Sequence, residues 1–216
     1  MLKAENIQKT YGNLQVLKGI SLHVKKGEII SIVGASGAGK STLLHILGTL
    51  DQADQGSLWI NEQEVSTLNS NQLAKFRNQH IGFVFQFHNL LPEFTALENI
   101  CMPGMIAGKD EKEIKTRAEE LMDMLRIGHR KEHKPAEMSG GEQQRASVAR
   151  ALINNPAIVF ADEPSGNLDS SNADELHDLF FKLRKDLDQT FVIVTHNKAF
   201  AQMADRQVEI KDGKID

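Results

Sequence analysis

The sequence predicts an α/β domain, and three observations carry the prediction. Short apolar runs rich in β-branched residues recur along the chain, amphipathic helical stretches separate them, and a glycine-punctuated N-terminal part shows the alternation of antiparallel strands. The N-terminal part comes first, with alternating stretches around Lys3 to Ile7, Val16 to Val24 and Ser57 to Ile60 broken by Gly12, Gly19, Gly27 and Gly56. Ile29 to Val33, Ala157 to Ala161 and Phe191 to Thr195 lack alternation, which fits strands buried on both faces of a parallel sheet. Residues 42–50 read as a helical run. A helix is predicted over 110–127, with Ile114, Ala118, Leu121 and Leu125 on one face, Asp110 and Glu113 as a capping-box-like pair and Gly128 as its stop. Another runs over 171–187, placing Leu176, Leu179, Phe180, Leu183 and Leu187 together. Asp212-Gly213 reads as a hairpin turn.

The 216 residues suffice for one large domain or two small ones, and no repeat or linker divides them. Lys and Arg total 25 against 29 Asp and Glu, a net charge of −4, which argues against a nucleic-acid binder that depends on a basic face. Cys101 is the single thiol and implies no internal disulfide. No run approaches the roughly 18 apolar residues of a membrane span, and the first residues lack the apolar core of a signal peptide, so a cytoplasmic location is expected.

Gly34-Ala35-Ser36-Gly37-Ala38-Gly39-Lys40-Ser41 fits G-x-x-x-x-G-K-[ST] between a predicted strand and a predicted helix. Such a loop turns backbone N–H groups inward around phosphate oxygens, which needs glycine's freedom in φ and gains from the positive end of the helix dipole. Lys40 is expected on the β- and γ-phosphates and Ser41 on Mg²⁺. Far along the chain, the strand at 157–161 runs into Asp162-Glu163. Neighbouring side chains on an extended chain point apart, so Asp162 is expected in the Mg²⁺ shell and Glu163 at the attacking water. Alone, the pair is equally well two solvated acids.

Met138-Ser139-Gly140-Gly141-Glu142-Gln143 narrows the class. Ser139 and Glu142 form a capping box, and the adjacent glycines bare backbone N–H groups at a second helix N-terminus. Here the sequence resembles the ATP-binding-cassette (ABC) family over essentially its whole length. Its Walker A is similar to Gly34–Ser41, its Walker B to Ile158–Glu163 and its signature to Ser139–Gln143. The resemblance implies a P-loop NTPase with a RecA-like core, an N-terminal antiparallel flank and a helical signature subdomain. It also implies one cassette over 1–216, with the core at 1–86 and 156–216 and the helical part at about 87–155. By the same resemblance Tyr11 is the aromatic residue that stacks on adenine, Thr42 extends the ATP contacts, and Gln86 is the Q-loop ligand of Mg²⁺. Asp169 belongs to the D-loop, and His196 is the switch histidine. Taken singly, Tyr11 is also a plausible turn aromatic and Gln86 a polar residue closing the strand 82–85. His129 and His133 stand four apart without an obvious carboxylate or thiol partner, and are not read as a metal site.

One P-loop and one signature per chain imply, through the resemblance, a homodimer that closes around two ATP molecules. A DNA-repair cassette would carry long coiled coils before the signature, whereas this interval is short with one clear helix; a ribosomal cassette usually comes in pairs. Residues 86–100, followed by Met102-Pro103, form an apolar, aromatic stretch where the family meets its membrane partner. Its wording resembles the ATP-binding subunits of lipoprotein-releasing systems. Pro164 to Asp169 is shared in pattern with those and with macrolide exporters and cell-division cassettes, except that Ser165 replaces their usual Thr. The expectation is a motor at the cytoplasmic face of the inner membrane, bound to permease subunits of the LolC/LolE type and touching the bilayer only through them. A macrolide-exporter-like or cell-division-like motor is the alternative, and a soluble cassette acting on DNA or ribosomes the remote one.

Overall fold

The computed structural model describes residues 1–216. Strands β1 (Leu2–Tyr11) and β2 (Leu14–Val24) form a hairpin, followed by β3 (Ile29–Val33) and helix α1 (Lys40–Leu47). Strands β4 (Gln55–Ile60) and β5 (Gln63–Glu64) follow, then α2 (Ser70–His80) and β6 (Ile81–Phe85). Three helices come next: α3 (Ala96–Ile106), α4 (Glu111–Met124) and α5 (Gly140–Leu152). The remainder is β7 (Ile158–Asp162), α6 (Ser170–Leu187), β8 (Thr190–Val194), α7 (Lys198–Met203), β9 (Arg206–Lys211) and β10 (Lys214–Ile215).

Two sheets result, an antiparallel one ordered β2-β1-β4-β5 and a second ordered β10-β9-β3-β8-β7-β6. In the second sheet β9, β3, β8, β7 and β6 run parallel and only β10 is antiparallel, joined to β9 through Asp212-Gly213, both at positive φ as the predicted turn requires. The parallel strands lack alternation because both faces are covered. Ile29, Val159, Ala161, Phe191 and Ile193 pack with α3 to α6, while Ile30, Ile32, Ile158, Phe160, Val192 and Val194 pack with α1 and the antiparallel sheet. All parallel strands deliver their C-terminal ends to one edge, where ligands of open α/β sheets bind.

Two expectations change. The helix predicted over 110–127 ends at Met124, where Arg126 adopts a left-handed φ of 59° and Ile127 N–H bonds to Met122 O, a Schellman closure built on a non-glycine residue. Gly128 then opens a short 3₁₀ turn, Gly128–Arg130, instead of stopping the helix. The interval between the glycine loop and residue 139 contains α2, α3 and α4 rather than one clear helix. Capping boxes start two of them: Asn69 with Gln72 for α2 and Thr95 with Glu98 for α3. Pro103, which reads as loop punctuation, lies inside α3, and its carbonyl accepts from the Asn78 and Asn154 side-chain amides at 3.0 Å each.

Candidate nucleotide site

The glycine loop leaves β3 at the centre of the parallel sheet and enters α1 through Gly39, whose φ of 101° makes a left-handed N-cap with no side-chain capping bond. A Cβ on Gly39 would stand 2.8 Å from Leu17 Cδ2, and one on Gly34, at φ 149°, would stand 2.3 Å from the Ile210 carbonyl oxygen. Backbone conformation and close approach therefore both demand glycine here. Residues Ala35, Ser36 and Gly37 are exposed at the rim, with Ala38 behind them. Lys40 is buried, and its ammonium donates to the carbonyls of Gly34 at 3.0 Å and Ala35 at 2.9 Å. The first turn of α1 contains no acidic residue, so its N–H groups face an uncontested anion site.

Walker-B strand β7 brings Asp162 beside this helix, where Ser41 Oγ donates to Asp162 Oδ1 at 3.2 Å and His45 Nε2 lies 3.8 Å from Oδ2. A hydroxyl and a carboxylate facing each other are the hard oxygen donors Mg²⁺ prefers, so the residues present fit that ion. Glu163 turns sharply after the strand, with φ 48°, and is tied to the neighbouring strand by its N–H to Val194 O at 3.0 Å. Its Oε2 accepts the His196 backbone N–H at 3.0 Å. His196 Nε2 approaches Oε1 to 3.1 Å, at an angle that leaves this buried oxygen without a hydrogen bond. Burial pushes the Glu163 carboxyl above its usual range; the His196 contacts oppose that shift and the charge of Asp162 adds to it.

The other expected residues are placed as follows. Gln86 leaves β6 directly after Phe85, which is in register with Asp162, so it reaches the same sheet edge. Its amide donates to Asn167 Oδ1 at 3.0 Å and its carbonyl accepts from Asn167 Nδ2 at 3.2 Å; it makes no hydrogen bond to Ser41 or Asp162. Asp169 caps α6, accepting from Asn172 N at 2.9 Å, and these bonds hold its carboxyl below the usual range. Tyr11 ends β1 with its ring half exposed and its hydroxyl donating to Asp51. Thr42 lies in the first turn of α1.

At the second helix N-terminus Ser139 Oγ accepts the Glu142 N–H at 3.3 Å, and Glu142 Oε2 accepts the Ser139 N–H at 2.8 Å, so the predicted capping box forms. Gly140 and Gly141 begin α5, and Gln143 points back, donating to the carbonyls of Pro135 and Met138. Glu142 Oε1 also accepts from Arg130 Nε at 2.8 Å and lies 3.3 Å from His129 Nε2. His129 therefore does have a carboxylate partner, which its spacing from His133 conceals. Burial alone would raise the Glu142 carboxyl, but the Arg130, Ser139 and His129 bonds outweigh it and lower the value to about 2. No hydrogen bond joins residues 139–143 to the loop 34–42 within the chain.

A glycine loop on a central parallel strand with a hydroxyl and a carboxylate beside it defines a P-loop nucleotide-binding protein, and a glycine-flanked helix N-terminus stands apart from that loop. Comparison with known proteins makes this specific. A family model described as ABC transporter matches residues 17–166. The lipoprotein-releasing system ATP-binding protein LolD of Cytophaga hutchinsonii is 61% identical over 215 residues, covering 100% of this chain and 98% of that protein. LolD of Aquifex aeolicus is 50% identical, covering 100% and 96%. A solved dimer of the ATP-binding cassette MJ0796 in a post-hydrolysis state with ADP and Pi superposes with a TM-score of 0.91 at 39% identity, covering 100% of this chain and 97% of that one. The chain belongs to the ABC transporter family, among the LolD-type ATP-binding proteins.

Proposed function

We propose that this chain is the ATP-hydrolysing motor of a lipoprotein-releasing transporter, working as a homodimer on permease subunits at the cytoplasmic face of the inner membrane. The observation that carries the hydrolytic part is Glu163: a partly buried carboxylate directly after Asp162 of the Ser41–Asp162 pair, with one oxygen accepting the His196 N–H at 3.0 Å and the other 3.1 Å from the His196 imidazole. A carboxyl raised by burial, beside the Ser41–Asp162 pair and held against an imidazole, suits a general base. The glycine loop and Lys40 bind the phosphates, Tyr11 stacks on adenine, Ser41 and Gln86 directly and Asp162 through water would hold Mg²⁺, and His196 orients Glu163. When bound, Mg²⁺ neutralises charge on the β- and γ-phosphates. Ser139 to Gln143 of one copy, with Asp169 nearby, close over the nucleotide of the other. The dimeric cassettes among its structural relatives support that arrangement.

The LolD relatives support both the transported class and the permease partners, and one surface feature supports a docking site. No helix is long and apolar enough to cross a membrane. Beyond Gln86, Phe87 and Met105 are exposed, and so is Ile106, which lines a groove with Phe83, Phe85 and Arg150. The substitution Glu163→Gln is expected to retain ATP binding, lower turnover by about 10²–10⁴-fold and trap a dimer on size-exclusion chromatography. Near-normal ATPase activity would refute the general-base role. Co-purification with a cell-division permease, and none with a lipoprotein-releasing one, would reassign the transporter.

A further inference from the structure

Outside the phosphate and signature residues, one charged cluster buries its lysine while its carboxylates stay partly exposed. Lys9, near the end of β1 between β2 and β4, is only 9% exposed. Its ammonium donates to Asp51 Oδ1 at 2.8 Å and to the Gln52 carbonyl at 2.6 Å, and stands 3.9 Å from Asp54. Residues 9 and 11 of a strand share a face, and the same ammonium lies 5.1 Å from the centroid of the Tyr11 ring. The second oxygen of Asp51 accepts the Tyr11 hydroxyl. Asp51 itself is anchored to the helix that bears the phosphate loop, its N–H donating to His45 O at 3.2 Å.

We propose that Lys9 and Asp51 are positioning residues that clamp Tyr11 as a one-sided platform for the adenine base. The proposal rests on the reading of Tyr11 as the adenine contact. Lys9 lies over the ring, the hydroxyl is tethered to Asp51, and the residue remains half exposed. A tyrosine ending a strand beside solvent would otherwise sample several rotamers, and ordering it would be charged to every binding event. The clamp settles that cost in the free protein and ties the base platform to α1, so the distance between base site and phosphate site is set before ATP arrives. The titration behaviour agrees. The Asp51 hydrogen bond, with burial and the Asp51 charge, raises the Tyr11 phenol above its ordinary value against the opposing charge of Lys9, and the Asp51 bond also raises the Lys9 ammonium.

The test compares Asp51→Asn and Lys9→Met in the full chain, with Tyr11→Ala as a control on the platform itself. Calorimetry measures binding of ATP and of tripolyphosphate, which has no base. The ζ-carbon resonance of the chain's single tyrosine, isotopically labelled, reports the ring at neutral pH. Both clamp variants are expected to weaken ATP by roughly three- to tenfold, leave tripolyphosphate unchanged and move the tyrosine resonance. If Tyr11→Ala weakens ATP while both clamp variants keep wild-type affinity and an unmoved resonance, the clamp is wrong and the platform stands. If Tyr11→Ala leaves ATP binding intact, the platform reading fails and takes the clamp with it. Equal loss of both ligands in the clamp variants would make Lys9 and Asp51 purely structural, and overturn the proposal.

Discussion

Helices α1 and α5 both begin at glycines and both offer backbone N–H groups, yet they treat those groups in opposite ways. At α1 the N-cap is a glycine without a side-chain oxygen and the first turn holds no acid, so the helix start is left open to an external anion. At α5 the cap is satisfied from within: Ser139 and Glu142 bond reciprocally, and Glu142 already supplies a carboxylate, paired with the Arg130 guanidinium. Only the N–H groups of Gly140 and Gly141 are left over. The lesson is that glycines beside a helix start do not by themselves make an anion site; the cap residue decides whether the site is empty or self-occupied. In this chain the start of α1 has no side-chain cap at all, whereas at α5 the capping box satisfies the Glu142 N–H and leaves those of Gly140 and Gly141 free.

The contrast breaks first at Lys40. Lys40→Ala removes the cation from the open site, and nucleotide affinity or turnover is expected to fall at least about 10²-fold with the α5 end unaffected; unchanged ATP titration and rate would refute the phosphate role.

At the self-occupied site the effect is on stability. Glu142→Gln keeps the capping geometry but loses the charge partner of Arg130, and about 1–3 kcal/mol of stability at neutral pH should go with it. The folded carboxyl, at about 2, lies below its ordinary 4.5, so its contribution is complete above about 4.5 and disappears as pH falls toward 2. Denaturant titrations across that window should therefore slope in the wild type more than in the variant; equal slopes would show that the Arg130 pair contributes nothing. The smallest effect is at the cap: Ser139→Ala should cost about 1 kcal/mol, a fall of roughly 2–4 °C in Tm. No comparable hydroxyl exists at Gly39 to remove.

Much of the fold could be read directly. The three both-face-buried strands announce themselves by unbroken β-branched runs, and the glycine loop by its spacing between strand and helix. Helices α2 and α3 escape this reading although their capping boxes, Asn69-x-x-Gln72 and Thr95-x-x-Glu98, stand in plain view. The first helix is short and polar, with Phe76 its one buried residue, and the second carries Pro103. The end of α4 escapes because its left-handed residue is Arg126 rather than glycine. Among site residues, Asp162, Glu163 and Ser139 follow from local pattern, whereas Arg130, His129, Lys9 and Asp51 look like ordinary surface charges in sequence. Their meaning lies in pairings across 12 to 42 residues of chain.

By itself, then, the sequence determined the chemistry available: which loop can cradle phosphate, which strand ends in two acids, which helices carry caps, and the family whose motifs it bears. The tertiary structure decided what each polar group has left to give. It turned both oxygens of Glu163 toward His196, spent Glu142 on its own helix, and buried Lys9 against Tyr11. Local pattern follows from backbone geometry and side-chain size, which neighbours along the chain specify. The free valence of a carboxylate or an ammonium depends on which distant donors and acceptors the folded chain brings within about 3 Å, and on how much water it leaves beside them.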